Sequence, residues 1–175
     1  MNPTPTWRRA NLLTIGWADA GRMLTGLAHD IKESGFAPSV IVGIARGGLP
    51  PAVTLSNLLG VTDFRILGIP RNTTNSRYSE RGEAVLDYIT PQRPVTGADV
   101  LIVDDIMGDG GTMALAVETI RGLGAAEIRT AVVARNVGSR GRADFQAVEV
   151  DDWTVFPWEL PPGAEESATD LPAPR

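Results

Sequence analysis

Apolar residues recur at Trp17, Ala20, Leu24, Leu27, Ala28 and Ile31, and this three-four spacing predicts a helix over residues 17–34 with one buried face. Asp30, Lys32 and Glu33 lie off that face, and Gly35 marks a stop. The period then changes. Residues 39–44, Ser-Val-Ile-Val-Gly-Ile, form a short β-branched run suited to a strand buried on both faces. It leads through Ala45-Arg46-Gly47-Gly48-Leu49-Pro50-Pro51 into a helix over 52–59, with Pro50 or Pro51 in its first turn. Residues 64–69 predict a third strand and 84–89 a short one, followed by a proline-rich connection over 90–97. The run Val100-Leu101-Ile102-Val103 ends in two carboxylates, Asp104 and Asp105, and a glycine-rich turn then opens a helix over 113–123. Met113, Ala116, Val117, Ile120 and Leu123 make its buried face. Further strands are expected over 128–134 and 147–150. Strands alternating with helices predict an α/β domain with a mainly parallel, twisted sheet flanked by helices.

The polar interruptions carry the candidate chemistry. Ligands of parallel sheets bind beyond the carboxyl ends of the strands. Four special segments fall there: the Arg46 turn, the Arg71–Glu83 loop, the Asp104–Thr112 turn and the strand end at Arg135. In the first, two glycines let the backbone approach a ligand closely, and Arg46 adds a charged donor fork. In the third, Asp104 and Asp105 can bind hydroxyls or a cation, while unpaired N–H groups at the following helix start can hold a phosphate. The loop over 71–83 is polar, holds three arginines and has no hydrophobic period, as expected of a lid that closes over a ligand. An ordinary exposed βα turn accounts for either glycine-rich segment taken alone; their convergence does not reduce to that.

Composition narrows the classes. With 43% hydrophobic residues in 175, one domain with a full core is expected. A net charge of −5 and a pI near 4.9 argue against a nucleic-acid surface. The absence of cysteine excludes disulfides, thiolate catalysis and cysteine-ligated zinc, and fits a cytoplasmic protein. His29 is the one histidine and falls in a predicted helix, which argues against a histidine-rich metal site or a Ser-His-Asp triad. No apolar run approaches the ~20 residues of a membrane span, and the start lacks a signal-type apolar stretch. Residues 1–11 read as an irregular arm anchored by Trp7, and 161–175, rich in Pro, Ala, Glu and Ser, as a disordered tail. Between them, 12–160 is one domain. Its end, about 147–160, concentrates aromatics in Asp152-Trp153-Thr154-Val155-Phe156-Pro157-Trp158-Glu159, where planar groups can stack on a ring.

Three signatures, in order along the chain, resemble the type I phosphoribosyltransferases. Val103-Asp104-Asp105-Ile106-Met107-Gly108-Asp109-Gly110-Gly111-Thr112 resembles their phosphoribosyl-pyrophosphate motif, and Gly43-Ile44-Ala45-Arg46-Gly47-Gly48-Leu49-Pro50-Pro51 their pyrophosphate loop. The segment 152–159 is similar to the hood of the bacterial xanthine–guanine and related hypoxanthine enzymes. The resemblance implies the type I fold with a small C-terminal hood. It also implies transfer of ribose-5-phosphate from phosphoribosyl pyrophosphate to a ring nitrogen of a purine-like 6-oxo base, in a Mg²⁺-dependent, dimeric or higher homo-oligomeric protein. Asp104 and Asp105 would hold the ribose hydroxyls and the Mg²⁺ shell. Gly108, Asp109, Gly110, Gly111 and Thr112 would cradle the 5-phosphate, and Ala45, Arg46 and Gly47 the pyrophosphate, with a non-proline cis peptide in that loop. Trp153 would stack on the base, Arg135 would face its exocyclic oxygen, and Glu159 would approach a second Mg²⁺.

Two positions leave the family pattern. The carboxylate that purine enzymes use for the base's N–H proton is replaced by Gly108, and the small hydroxylic residue beside it by Asp109. Asp109 is therefore the candidate proton acceptor, with Arg46 and Asp105 as the other catalytic candidates. Arg135 stands where a lysine is common, keeping the charge in a bulkier fork. Two alternatives stay open: a non-catalytic phosphoribosyl pyrophosphate or nucleotide sensor, and the same transfer to a non-purine ring.

Overall fold

Residues 11–71 and 82–174 are described by the structure, a computed structural model. The expected Trp7-anchored arm and most of the expected lid, residues 72–81, lie outside the described residues. The elements run β1 (Leu12–Thr14), α1 (Trp17–Glu33), β2 (Val40–Ala45), α2 (Leu49–Leu59), β3 (Asp63–Gly68), β4 (Tyr88–Thr90), β5 (Asp99–Met107), α3 (Gly111–Gly122), β6 (Glu127–Asn136), β7 (Phe145–Val150), β8 (Trp153–Val155) and β9 (Ala168–Asp170). Six strands form the main sheet in the order β4-β3-β2-β5-β6-β7. All its neighbours are parallel except β3 and β4.

The β-branched strands are buried on both faces, as their continuous apolar runs require. Along β5, Leu101 and Val103 face one core and Val100 and Ile102 the other. The first core is closed by α1 and α2, through Leu24, Leu27, Ile31, Ala52 and Leu55; the second by α3, through Met113, Ala116 and Ile120. Each fully buried aliphatic side chain contributes about 1.5–3 kcal/mol against exposure. In α1 the buried stripe includes Met23, while Trp17, expected on it, is 67% exposed. His29 is exposed on the far side of the helix. A left-handed Gly60 ends α2.

Chain direction reverses at the centre of the sheet. From β2 the chain proceeds outward to β3 and β4, and from β5 outward to β6 and β7, while β2 and β5 lie side by side. A crevice opens beyond the carboxyl ends of such a central pair. The turns after β2 and β5 therefore face each other across it.

Two expectations about elements are corrected. The short strand expected over 84–89 is β4, Tyr88–Thr90, because the ring of Tyr88 packs where a side chain on Gly68 would stand, 2.3 Å from its ideal Cβ. Strand β1 opens the domain at Leu12, and the 161–175 tail is not a disordered end. It carries β9, which pairs in parallel with β1, as β8 does on the other side. Side chains fasten the tail further: Asn11 Nδ2 donates to Thr169 Oγ1 at 2.7 Å and Thr14 Oγ1 to Asp170 Oδ1 at 2.7 Å. The Ala173 amide donates to Asp19 Oδ1 at 2.8 Å.

Candidate active site

The turn after β2 is built by close approach. Ala45–Arg46 is a cis peptide, as the resemblance leads one to expect. The Gly48 amide donates to Ile44 O at 3.0 Å and the Leu49 amide to Arg46 O at 3.1 Å, so the chain folds back directly into α2. A Cβ on Gly47 would stand 2.0 Å from Asp105 Oδ2. On Gly48 it would meet main-chain oxygens of Ile44 and Val103, each at 2.7 Å. Both glycines are thus demanded by packing against β5. Arg46 is exposed at the rim.

Across the crevice, Asp104 and Asp105 end the apolar run of β5. Asp104 is half-buried and accepts the Asp105 amide on Oδ1 at 3.0 Å. Asp105 is 8% exposed, and burial pushes its carboxyl above the usual carboxylate range. Trp158 Nε1 donates to its Oδ2 at 3.4 Å, and hydrogen bonds from the Asp104 side chain and the main chain at 105 and 106 also favour the ionised form without outweighing burial. No described guanidinium or ammonium pairs with it.

The start of α3 is arranged differently from the expectation of open amides. Gly110 adopts a left-handed conformation, φ 91°, to turn the chain into the helix. Asp109 Oδ1 accepts the Gly111 amide at 2.9 Å and pairs with the Arg71 guanidinium. The chain's own carboxylate therefore covers one N–H of the predicted phosphate cradle.

The hood closes the remaining side. Trp158 stacks on Phe156 with ring centroids 5.0 Å apart and planes 7° from parallel, and meets Trp17 edge-on at 6.1 Å. Trp153 lines the same cavity. Glu159 Oε2 accepts the Phe156 amide at 2.9 Å.

These parts enclose one cavity of about 910 Å³. Ala45, Arg46, Gly47, Asp104, Asp105, Gly108, Asp109, Gly110, Thr112, Trp153 and Glu159 all line it. Of the expected site residues, Gly111 contributes only the amide held by Asp109, and Arg135 is not brought to the wall. The Arg135 fork is spent on structure: Nε donates to Gly141 O at 2.9 Å, one terminal nitrogen to Glu149 Oε1 at 2.9 Å, and the other to Ser139 O at 3.2 Å. It pins the 138–142 turn to β7. Sequence reasoning missed Trp158 as the partner of Asp105, Arg71 as the partner of Asp109, and the wall supplied by Leu160, Pro161, Gly163 and Glu166. The pairing of Trp158 with a buried acid was signalled only by its place in the aromatic hood segment. Among the described residues no three His, Cys, Asp or Glu side chains gather as a metal-holding cluster. No described helix is long and apolar enough to cross a membrane.

A glycine-lined turn, an acidic strand end and a helix start, meeting at the switch point of a parallel sheet under an aromatic hood, make a pocket for an anionic, hydroxyl-bearing ligand. The chain belongs to the phosphoribosyl transferase family, whose domain matches residues 18–164. It is 30% identical over 151 residues to the xanthine-guanine phosphoribosyltransferase of Cereibacter sphaeroides, covering 83% of this chain and 86% of that one. With the adenine phosphoribosyltransferase of Parafrankia sp. it shares 38% identity over 115 residues, 63% of this chain and only 61% of that relative's length. Among solved structures, the purine phosphoribosyltransferase of Pyrococcus horikoshii is similar, with a TM-score of 0.75, 30% identity, and coverage of 89% of this chain and 99% of that one.

Proposed function

We propose that this pocket transfers ribose-5-phosphate from phosphoribosyl pyrophosphate to a ring nitrogen of a purine-like 6-oxo base, giving a nucleoside monophosphate and pyrophosphate. The observation that carries the proposal is the meeting of the Arg46 turn with Asp104 and Asp105 beneath Trp153 and Trp158. The bond from ribose C1 to the pyrophosphate oxygen breaks and a bond to the base nitrogen forms. Positive charge develops on the ribose ring and negative charge on the leaving group. Asp104 and Asp105 would hold the ribose hydroxyls and face the ring as its charge grows. Arg46 and the amides of residues 45–47 would receive the leaving pyrophosphate. Trp153 would stack on the base.

The donor set fits Mg²⁺: hard carboxylate oxygens, too few for an all-protein cage, suit an ion that takes one or two carboxylates and completes its shell with water and substrate phosphates. The burial of Asp105, which outweighs the hydrogen bonds to its carboxylate, supports the same fit. Asp104 and Asp105 would hold the ion, with Glu159 near a second. Mg²⁺, when bound, supplies neutralisation of the leaving pyrophosphate.

Asp109 is the sequence candidate for accepting the base's proton, but here its carboxylate is engaged by the Gly111 amide and Arg71. That engagement of the cradle also favours the second reading, a phosphoribosyl pyrophosphate or nucleotide sensor. Pyrophosphate release measured with guanine, xanthine, hypoxanthine, adenine and orotate separates the two. Release with a 6-oxo purine, abolished by a chelator and restored by Mg²⁺, is expected. Silence with every base alongside tight nucleotide binding would establish the sensor, and release with orotate alone would move the acceptor outside the purines.

A further inference from the structure

Beyond the hood, the chain repeats one small device. At the hood turn, the Phe156 amide donates to Glu159 Oε2 at 2.9 Å while the Glu159 amide donates to Phe156 O at 3.0 Å. Seven residues later the Gly163 amide donates to Glu166 Oε2 at 2.7 Å while the Glu166 amide donates to Gly163 O at 3.0 Å. Each is a four-residue clasp in which a glutamate reaches back to the amide of the residue three before it, as the glutamate of a capping box does, while a main-chain carbonyl accepts the glutamate's own amide. The effect is to fix a long, flexible side chain in one orientation. Both fixed carboxylates line the same cavity as Trp153 and Trp158.

The second clasp is held against the pocket from behind. Leu12 N donates to Ser167 O at 2.9 Å and Leu171 N to Thr14 O at 2.7 Å, so the strand that follows Glu166 is hydrogen-bonded to β1. β1 is in turn paired with β8, which carries Trp153. The ring and the arch over 160–166 are therefore positioned by one three-stranded sheet, β8-β1-β9. Leu160 and Pro161 give the arch an apolar edge, and Glu166 is its charged cavity-lining side chain.

We propose that the arch is the acceptor-side wall and that Glu166 is a specificity-determining residue for the acceptor base. This rests on the transferase reading of the pocket. An ionised carboxylate only accepts hydrogen bonds, so the ligand edge it faces must carry donors, a ring N–H or an exocyclic amino group. In this chain Gly108 leaves the pocket without the carboxylate expected from the family resemblance, and Glu166 brings one into the lining of the same cavity from the far end of the chain.

The test uses the full chain and Glu166→Gln. The amide oxygen of glutamine still accepts the Gly163 N–H, so the clasp is kept while the charge and the second acceptor are lost. Glu165→Gln removes the same charge from the exposed neighbouring side chain, outside the cavity lining. Quenching of tryptophan fluorescence by guanine gives the base Kd directly, and pyrophosphate release gives KM for base and donor. For Glu166→Gln the guanine Kd and KM are expected to rise about tenfold, the size of one charge-assisted hydrogen bond. The KM for phosphoribosyl pyrophosphate should stay within about twofold, with Glu165→Gln matching the parent throughout. An unchanged guanine Kd in Glu166→Gln overturns the inference, as does an equal rise in both KM values. If the parent releases no pyrophosphate with any base but Glu166→Gln still weakens guanine binding, the transferase reading falls and the role of Glu166 stands.

Discussion

The two turns that face each other across the crevice look alike in sequence and differ in what fills them. The Arg46 turn is set by close packing: Gly47 and Gly48 are glycines because Asp105 and the main chain of β2 and β5 occupy the space a Cβ needs. The Asp104–Thr112 turn is filled by its own side chain, with Asp109 on the Gly111 amide and against Arg71. One turn is shaped by sterics, the other by charge. A steric requirement has a fixed cost whatever the ligand, whereas an internal anion competes with a ligand phosphate and can be displaced.

The largest effect should come from the steric side. Gly48→Ala places a methyl 2.7 Å from two main-chain oxygens and 2.9 Å from Asp104 Cα, neighbours that cannot rotate away. Overpacking of this kind costs about 3 kcal/mol, and the Arg46 turn would separate from β5. Urea unfolding should show the loss, and pyrophosphate release should fall to background. An alanine at 48 with unchanged stability would mean that the two turns are not pressed together as described.

Asp105→Asn tests the contact between the turns and should split activity from stability. Removing the charge is expected to lower turnover about a hundredfold or more if, as proposed, the group faces the developing charge of the reaction. The same change relieves burial of an ionised group. Burial raises the carboxyl's pKa in the folded protein above its unfolded value, so the folded state binds the proton more tightly. The stability from this site is full below the unfolded pKa and is lost as pH rises through the folded one. At neutral pH without ligand, Asp105→Asn should therefore raise Tm by about 2–4 °C. The gain should vanish in acid, where the aspartate is protonated. A Tm lowered at neutral pH would show that the carboxylate is compensated.

The steric turn was legible in the sequence and the charged one only in part. A β-branched run followed by Arg46-Gly47-Gly48 and prolines announces strand, tight turn and helix start through local chemistry alone. The Asp104–Asp105 pair was equally plain as the end of the apolar run, although β5 itself continues through Ile106 and Met107, paired to β6. What Asp109 touches was not legible, since Arg71 is 38 residues away and only the folded sheet brings them together. Arg135 shows the same limit: the residue type suited a base contact, but the oxygens of Ser139, Gly141 and Glu149 claim its donors. The tail misled for a compositional reason. Proline, alanine and glutamate predict a chain without a core, yet three residues of it are ordered by main-chain bonds to β1, and such bonds leave no hydrophobic pattern.

The charged turn can be sharpened by Asp109→Ser, with the smallest expected effect of the three. Serine keeps an oxygen able to accept the Gly111 amide and removes the negative charge from the helix start, where a 5-phosphate would compete with it. If Asp109 is an internal stand-in for phosphate, the KM for phosphoribosyl pyrophosphate should fall about fivefold, equivalent to about 1 kcal/mol, while kcat changes less than about twofold. If Asp109 is instead the proton acceptor, kcat should drop by about a hundredfold or more with the donor KM unchanged. The two outcomes move different parameters, so steady-state kinetics with both substrates varied decides between them. A fall in donor KM would establish that the two turns differ as argued. One is fixed by glycines that let the strand beside it press close, and the other would receive its anion by exchanging its own carboxylate for the ligand's phosphate.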